Sequence, residues 1–222
     1  HPGANHNTCV LAVAAGTIEG SLSFFKRALE AKPSVLQYWI SLLLALIELG
    51  RLPEAQKIYD QAKSKGAYGP AFEKLKEKIN NIEKNAKLEN LLKETIKCRE
   101  GGKFDDAIKT LKAGLIEFPK SAEIHALLSH CHLLKNDIPN AKICLSNAEQ
   151  INSNSVQVGL NRARLHLYEK RLTEALKIAT RTNKTFPENT EVMVVLAACL
   201  RASNEIEKSF LYLEKAISLR YK

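Results

Sequence analysis

Long apolar runs are missing from this 222-residue chain. The longest, Trp39 to Ile47, is interrupted by Ser41. A helix needs roughly 20 apolar residues to cross a bilayer, so neither a membrane span nor a membrane partner is expected. No signal-peptide pattern is visible either. The phosphate-cradling glycine patterns GxGxxG and GxxxxGK, the zinc-protease pattern HExxH and the nucleophile turn GxSxG are all absent, which excludes the common routes to a complete active site. The cysteines, Cys9, Cys98, Cys131, Cys144 and Cys199, are odd in number and show no CxxC spacing. They offer neither a disulfide framework nor a zinc ribbon, and read as small buried apolar side chains in a reducing compartment, the cytoplasm.

A concentrated run of one charge is also missing. The net charge is +9, which invites a nucleic-acid reading. Its distribution argues otherwise: residues 1–69 carry 7 basic and 5 acidic side chains, 70–121 carry 12 and 9, and 122–222 carry 14 and 10. Lys alternates with Glu, as in Glu73, Lys74, Lys76, Glu77 and Lys78. That pattern suits a solvated helix face rather than a phosphate track, and no nucleic-acid partner is expected.

Periodicity is what the chain has in abundance. Ala107, Ala141, Ala175 and Ser209 stand 34 residues apart, as do Ser21 and Ala55. The step from Ala55 to Ala107 is longer by 18 residues, so six repeats fit with one insertion. Five residues before each small residue stand Gly16, Gly50, Gly102, Asn136, Lys170 and Asn204. Gly and Asn tolerate the left-handed backbone that ends a helix. Four after stand Phe25, Tyr59, Leu111, Leu145 and Leu213, with Ala179 departing; seven after, mostly small residues recur, from Ala28 and Ala62 to Ala148 and Ala216. Pro33, Pro119 and Pro187 follow the second helix and stop it. Small residues let two helices approach closely and bulky ones fill the space beside them. A period of this length signals stacked helical hairpins, whose work is to hold another molecule.

These positions resemble the tetratricopeptide repeat (TPR) family, best matched by Trp39, Leu42, Leu46, Gly50, Ala55, Tyr59 and Ala62. The likeness covers about nine tenths of the chain and implies an all-α fold, a right-handed α-solenoid of about six TPR helix-turn-helix repeats with one inserted helix. The fifth repeat departs from the pattern, holding Gly159 at its bulky position. Residues 1–69 are expected to form two repeats, the first helix truncated. Residues 70–87 form an inserted helix whose Phe72, Leu75, Ile79, Ile82 and Ala86 make one apolar stripe, able to cap the first block or bridge the two. Residues 88–222 form four repeats.

The chain begins at His1 without Met, leaves His1 to Ala15 for a first helix that contains Pro2 and Gly3, and stops at Arg220, Tyr221 and Lys222. An excised piece of a longer protein is expected, with uncapped ends that offer self-association. Residues 33–79 also look like the closing repeat of bacterial TPR proteins that carry a transferase domain further along. That resemblance implies an alternative role as the substrate-recruiting region of a larger glycosyltransferase-like or other transferase enzyme, and a bacterial source.

Clustered chemistry is limited to His125, His130, Cys131 and His132, with His166 one repeat after His132. Zinc would need further ligands in tetrahedral geometry; no metal, cofactor or catalytic residue is expected here. The family resemblance implies instead a concave groove lined by the first helix of each hairpin, at its second, fifth, sixth, ninth, twelfth and thirteenth positions. In repeats four to six these include Glu123, His130, Gln157, Asn161, Arg164, Tyr168, Glu191 and Arg201. Such a strip suits an extended peptide or protein segment. The carboxylate clamp of chaperone-binding TPR domains is not matched, because Ala126, His130, Glu191 and Val195 stand where its Lys, Asn, Lys and Arg belong. Nor is the asparagine ladder of the O-GlcNAc transferase type: only Asn7 and Asn161 comply, against Ser41, Lys93, Leu127 and Val195. The expected function is a non-enzymatic interaction scaffold.

Overall fold

In the computed structural model, which describes residues 18–220, the chain is all-helical and its helices pair as hairpins. The expectations placed on Asn7, Cys9, Gly16, the truncated first helix and the side chain of Ser21 fall outside what is described. The helices are α1 (Ile18–Ala31), α2 (Leu36–Glu48), α3 (Leu52–Ser64), α4 (Pro70–Glu100), α5 (Phe104–Glu117), α6 (Ala122–Leu134), α7 (Ile138–Asn152), α8 (Val156–Tyr168), α9 (Leu172–Thr185), α10 (Thr190–Ala202) and α11 (Ile206–Arg220). None is long and apolar enough to cross a membrane.

One device recurs at the hinge of five hairpins. Gly50, Gly102, Asn136, Lys170 and Asn204 all take a left-handed backbone, with φ between 58 and 74°. The amide of the following residue then donates to a carbonyl five residues back: Arg51 to Leu46, Lys103 to Cys98, Asp137 to His132, Arg171 to His166 and Glu205 to Leu200, each at 2.9 Å. Those bonds satisfy carbonyls the helix end would otherwise orphan. Lys170 makes this turn with a Cβ that disfavours it, so Lys170→Gly is expected to raise the thermal unfolding free energy by about 1 kcal/mol. Differential scanning calorimetry checks this; an unchanged or lower midpoint would mean the lysine side chain contributes something the turn geometry does not show.

The small residues of the period are buried wherever they are described: Ala55, Ala107, Ala141 and Ala175 expose no surface and Ser209 only 5%, and seven after, Ala28, Ala62 and Ala148 expose none either. Beside them lie Phe25, Tyr59, Leu111 and Leu145, also buried, as close helix approach with interlocking bulk requires. Repeat five solves its missing bulk differently. A Cβ on Gly159 would come within 2.7 Å of Thr182 Oγ1, so Thr182 packs directly on the Gly159 backbone where other repeats place a side chain.

Contacts divide the chain into two units, residues 1–87 and 88–222. The core of the first joins Phe25, Trp39, Leu42, Leu43, Leu46 and Tyr59 to Phe72, Leu75 and Ile79 of α4. The inserted stripe therefore covers the first block. Ala86, counted in the stripe, is exposed and takes no part. The expected separate helix over 70–87 is also corrected: α4 runs for 31 residues without a break, because no Gly, Pro or capping pattern interrupts the sequence between Pro70 and Glu100. In the second unit the apolar side chains form three clusters along the stacked hairpins.

Candidate protein-binding cleft

Residues 34 apart fall on the same face of successive first helices, so a stacked array turns sequence period into ladders of touching side chains. Two such rungs exist on α6, α8 and α10. Gln157 Nε2 donates to Glu191 Oε2 at 3.1 Å, and Arg164 Nη1 stands 3.5 Å from His130 Nδ1. Cross-links join the rungs: Arg164 Nη2 donates to Glu191 Oε1 at 2.8 Å and Nη1 to Asn161 Oδ1 at 3.1 Å. Asn161 Nδ2 donates to the backbone oxygen of Ala126 at 2.6 Å, tying α8 to α6. From α4, Arg99 Nη1 donates to His130 Nδ1 at 2.9 Å.

A guanidinium can only donate, so His130 Nδ1 accepts, the ring proton sits on Nε2 and the imidazole is neutral. Burial, then the charges of Arg164 and Arg99, push its pKa down to about 3, against a weaker pull from Glu191. Burial lifts the Glu191 carboxyl, but the hydrogen bond and charge of Arg164, with the Gln157 amide, hold it below its ordinary value. Burial likewise lowers the Arg164 guanidinium, opposed by Glu191. The neighbouring thiols are held in the protonated form. Burial raises Cys131 and Cys199 to about 11, with Arg99 pulling weakly the other way on the first and Arg164 on the second.

The network opens onto a cleft of about 520 Å³. Its walls come from the end of α4 (Ile96, Arg99), the start of α10 (Glu191, Val194) and α11 (Leu213, Ile217). Val194 and Ile217 remain 48% and 58% exposed, leaving aliphatic surface in water beside the charged network.

Of the residues expected from sequence, the structure brings His130, Gln157, Asn161, Arg164 and Glu191 together. Asn161 differs from an amide displayed to a ligand: it is fully buried, and both ends of the amide are used within the protein. Tyr168 is exposed at the end of α8, one turn beyond Arg164. Glu123 is exposed and accepts from Ser121 Oγ at 2.9 Å, apart from the network. Arg201 is exposed at the end of α10, outside it as well.

Arg99 was missed, although it occupies the twelfth position of the third repeat, a groove position under the same mapping. Ile217 belongs to a second helix, which that mapping leaves out. The histidines are dispersed: His132 Nδ1 pairs with Asp137 Oδ2 at 2.9 Å, and His166 lies 3.8 Å from Glu169. Among the described residues no group of three or more His, Cys, Asp or Glu is arranged to hold a metal ion.

Residues 10–70 match a family model described as Tetratricopeptide repeat. No curated protein matches the chain. It is similar to the solved structure of a tetratricopeptide repeat protein from Parabacteroides merdae ATCC 43184, at 16% identity over 98% of this chain and 79% of that one, with a TM-score of 0.49. A thermophilic TPR protein of Thermus thermophilus matches at 18% identity over 90% and 99%, with a TM-score of 0.40. YrrB, described as a TPR protein with an unusual peptide-binding site, matches at 14% over 97% and 84%, with a TM-score of 0.39.

Proposed function

We propose, from the tetratricopeptide match of residues 10–70 and the paired helices that continue through residue 220, that this chain is a non-enzymatic interaction scaffold that holds a peptide or protein segment in the cleft of residues 88–222. The observation that carries this reading is the polar ladder from Gln157 through Glu191 and Arg164 to His130 and Arg99, set beside exposed Val194 and Ile217. Fixed polar groups next to uncovered aliphatic surface are what an extended segment needs: the first set register, the second supplies burial. Because the ladder is already hydrogen-bonded, little side-chain entropy is lost on the scaffold's side when a ligand binds. Cys98, Cys131, Cys144 and Cys199 are free thiols, which supports work in the reducing cytoplasm.

A random ten-residue peptide library displayed on phage and selected on the purified chain tests this. Val194→Arg fills the cleft from an exposed position, so folding should survive. Selected peptides are expected to bind this variant about tenfold more weakly or worse, a loss of at least about 1.4 kcal/mol. Equal binding to both proteins would place the binding surface elsewhere.

A further inference from the structure

We infer that the segment held in this cleft is acidic, with a carboxylate seated on Arg99 and a neighbouring aliphatic side chain on Val194 and Ile217. This rests on the cleft being the binding surface proposed above. Two guanidiniums, Arg99 and Arg164, crowd the single lone pair of one neutral imidazole, His130 Nδ1. Glu191 is the carboxylate in that network, and both of its oxygens are engaged, Oε1 by Arg164 and Oε2 by Gln157. Arg99 therefore keeps a half-buried positive charge whose protein partner is an uncharged ring. A guanidinium removed from part of its water, with the Glu191 charge nearby but its oxygens taken up by Arg164 and Gln157, is poised for a carboxylate of its own, which matches its planar fork with two parallel hydrogen bonds.

The other charges facing the cleft do not cancel this. Glu100 and Arg220 also line it and offset each other, as Glu191 and Arg164 do, leaving the charge of Arg99 in excess. The aliphatic wall decides the kind of ligand. Ile96, Val194, Leu213 and Ile217 line the same cleft, so a ligand that satisfies Arg99 and covers this wall must carry a carboxylate and an alkyl group a few ångströms apart. A Glu or Asp beside Leu, Ile or Val in an extended peptide does so. A phosphate backbone supplies the charge without the alkyl group, and one excess guanidinium makes no track for it.

The test takes the phage-selected peptides, labels them with fluorescein and measures anisotropy against the whole chain. Peptides with Glu or Asp next to an aliphatic residue are expected to dominate. Changing that Glu to Gln should weaken binding by about tenfold or more. Arg99→Gln should remove the difference between the two peptides while still binding the Gln form. Should Arg99→Gln melt early, Arg99→Lys keeps the charge without the fork and is expected to narrow the difference. If the selected peptides need the cleft, being lost on Val194→Arg, yet bind equally with Glu or Gln, this inference fails and the cleft reading stands. If they ignore Val194→Arg, or none is selected, both fail.

Discussion

Replacing Phe72 with alanine is expected to lower the unfolding free energy of residues 1–87 by about 3–5 kcal/mol, the loss typical of a large aromatic removed from a core. Phe72 exposes no surface, and its ring stacks on Tyr59 at 4.4 Å between centroids, inclined by 10°. Tyr59 in turn donates its hydroxyl to Glu73 Oε2 at 2.7 Å, and its pKa is pushed up to about 12 by burial and then by that carboxylate. Lys76 Nζ sits 5.5 Å from the centroid of the same ring. Removing Phe72 therefore leaves a cavity and also loosens the seat of its neighbour, so the first turns of α4 lose their hold on α3. Trp39 is the single tryptophan of the chain and lies in the core of this unit, so its fluorescence during urea unfolding reads the effect without interference from the other unit. Ala86→Gln, on the same helix at an exposed position, is the control and should leave the transition in place. A loss below about 0.5 kcal/mol for Phe72→Ala, the scale of a surface substitution, would mean that α4 does not close the first core.

That role of α4 was half legible. Phe72, Leu75 and Ile79 announce an apolar face at helical spacing, but spacing alone does not say which neighbour the face covers. The length of α4 departs from the repeat period for a related reason. The period assigns a repeat start at Leu88, and repeat arithmetic places a boundary there although no Gly or Pro stands between Pro70 and Glu100 and Asn85 stays within the helix. The hinges were legible because their chemistry is local. Gly50, Gly102, Asn136 and Asn204 favour a left-handed turn by themselves, and Lys170 takes the same conformation because the surrounding hairpin imposes it.

Asn161 shows where a borrowed pattern stops working. Ser41, Leu127 and Val195, which share its place in other repeats, are buried as it is, so that position mostly points inward here. The mapped groove predicted an amide facing a ligand. Leu127 and Val195 are apolar, and that was the available signal that the position belongs to the packing. Arg99 lies at a groove position, the twelfth of the third repeat, but outside the fourth to sixth repeats from which the expected groove residues come. The cleft wall from α11 had no signal in the repeat pattern, because it depends on how the hairpins of residues 88–222 stack.

The charged network makes a second large effect, in acid. The unfolded chain titrates its histidines near pH 6.5, whereas His130 in the folded protein stays neutral down to about 3. Below about 6.5 the unfolded state thus binds a proton that the folded state refuses, and stability falls with pH by about 1.4 kcal/mol per unit. The contribution of His130 is complete above about pH 6.5 and is lost as the pH drops toward 3. Between about pH 7.5 and about pH 5 this one ring is expected to cost about 2 kcal/mol of stability. His166 is also depressed, by burial and then by Arg171, so it adds a slope of the same sign. Glu191 is held below its ordinary value and becomes labile only at lower pH. The contribution of His130 is therefore isolated by difference. In His130→Gln the amide oxygen can accept from Arg99 as Nδ1 does, without binding a proton. Urea unfolding of both proteins at about pH 7.5 and about pH 5 should show a fall smaller by about 2 kcal/mol in the variant. Parallel losses in the two proteins would mean that the imidazole does not share its lone pair with the two guanidiniums, and the electrostatic basis for an anion at Arg99 would go with it.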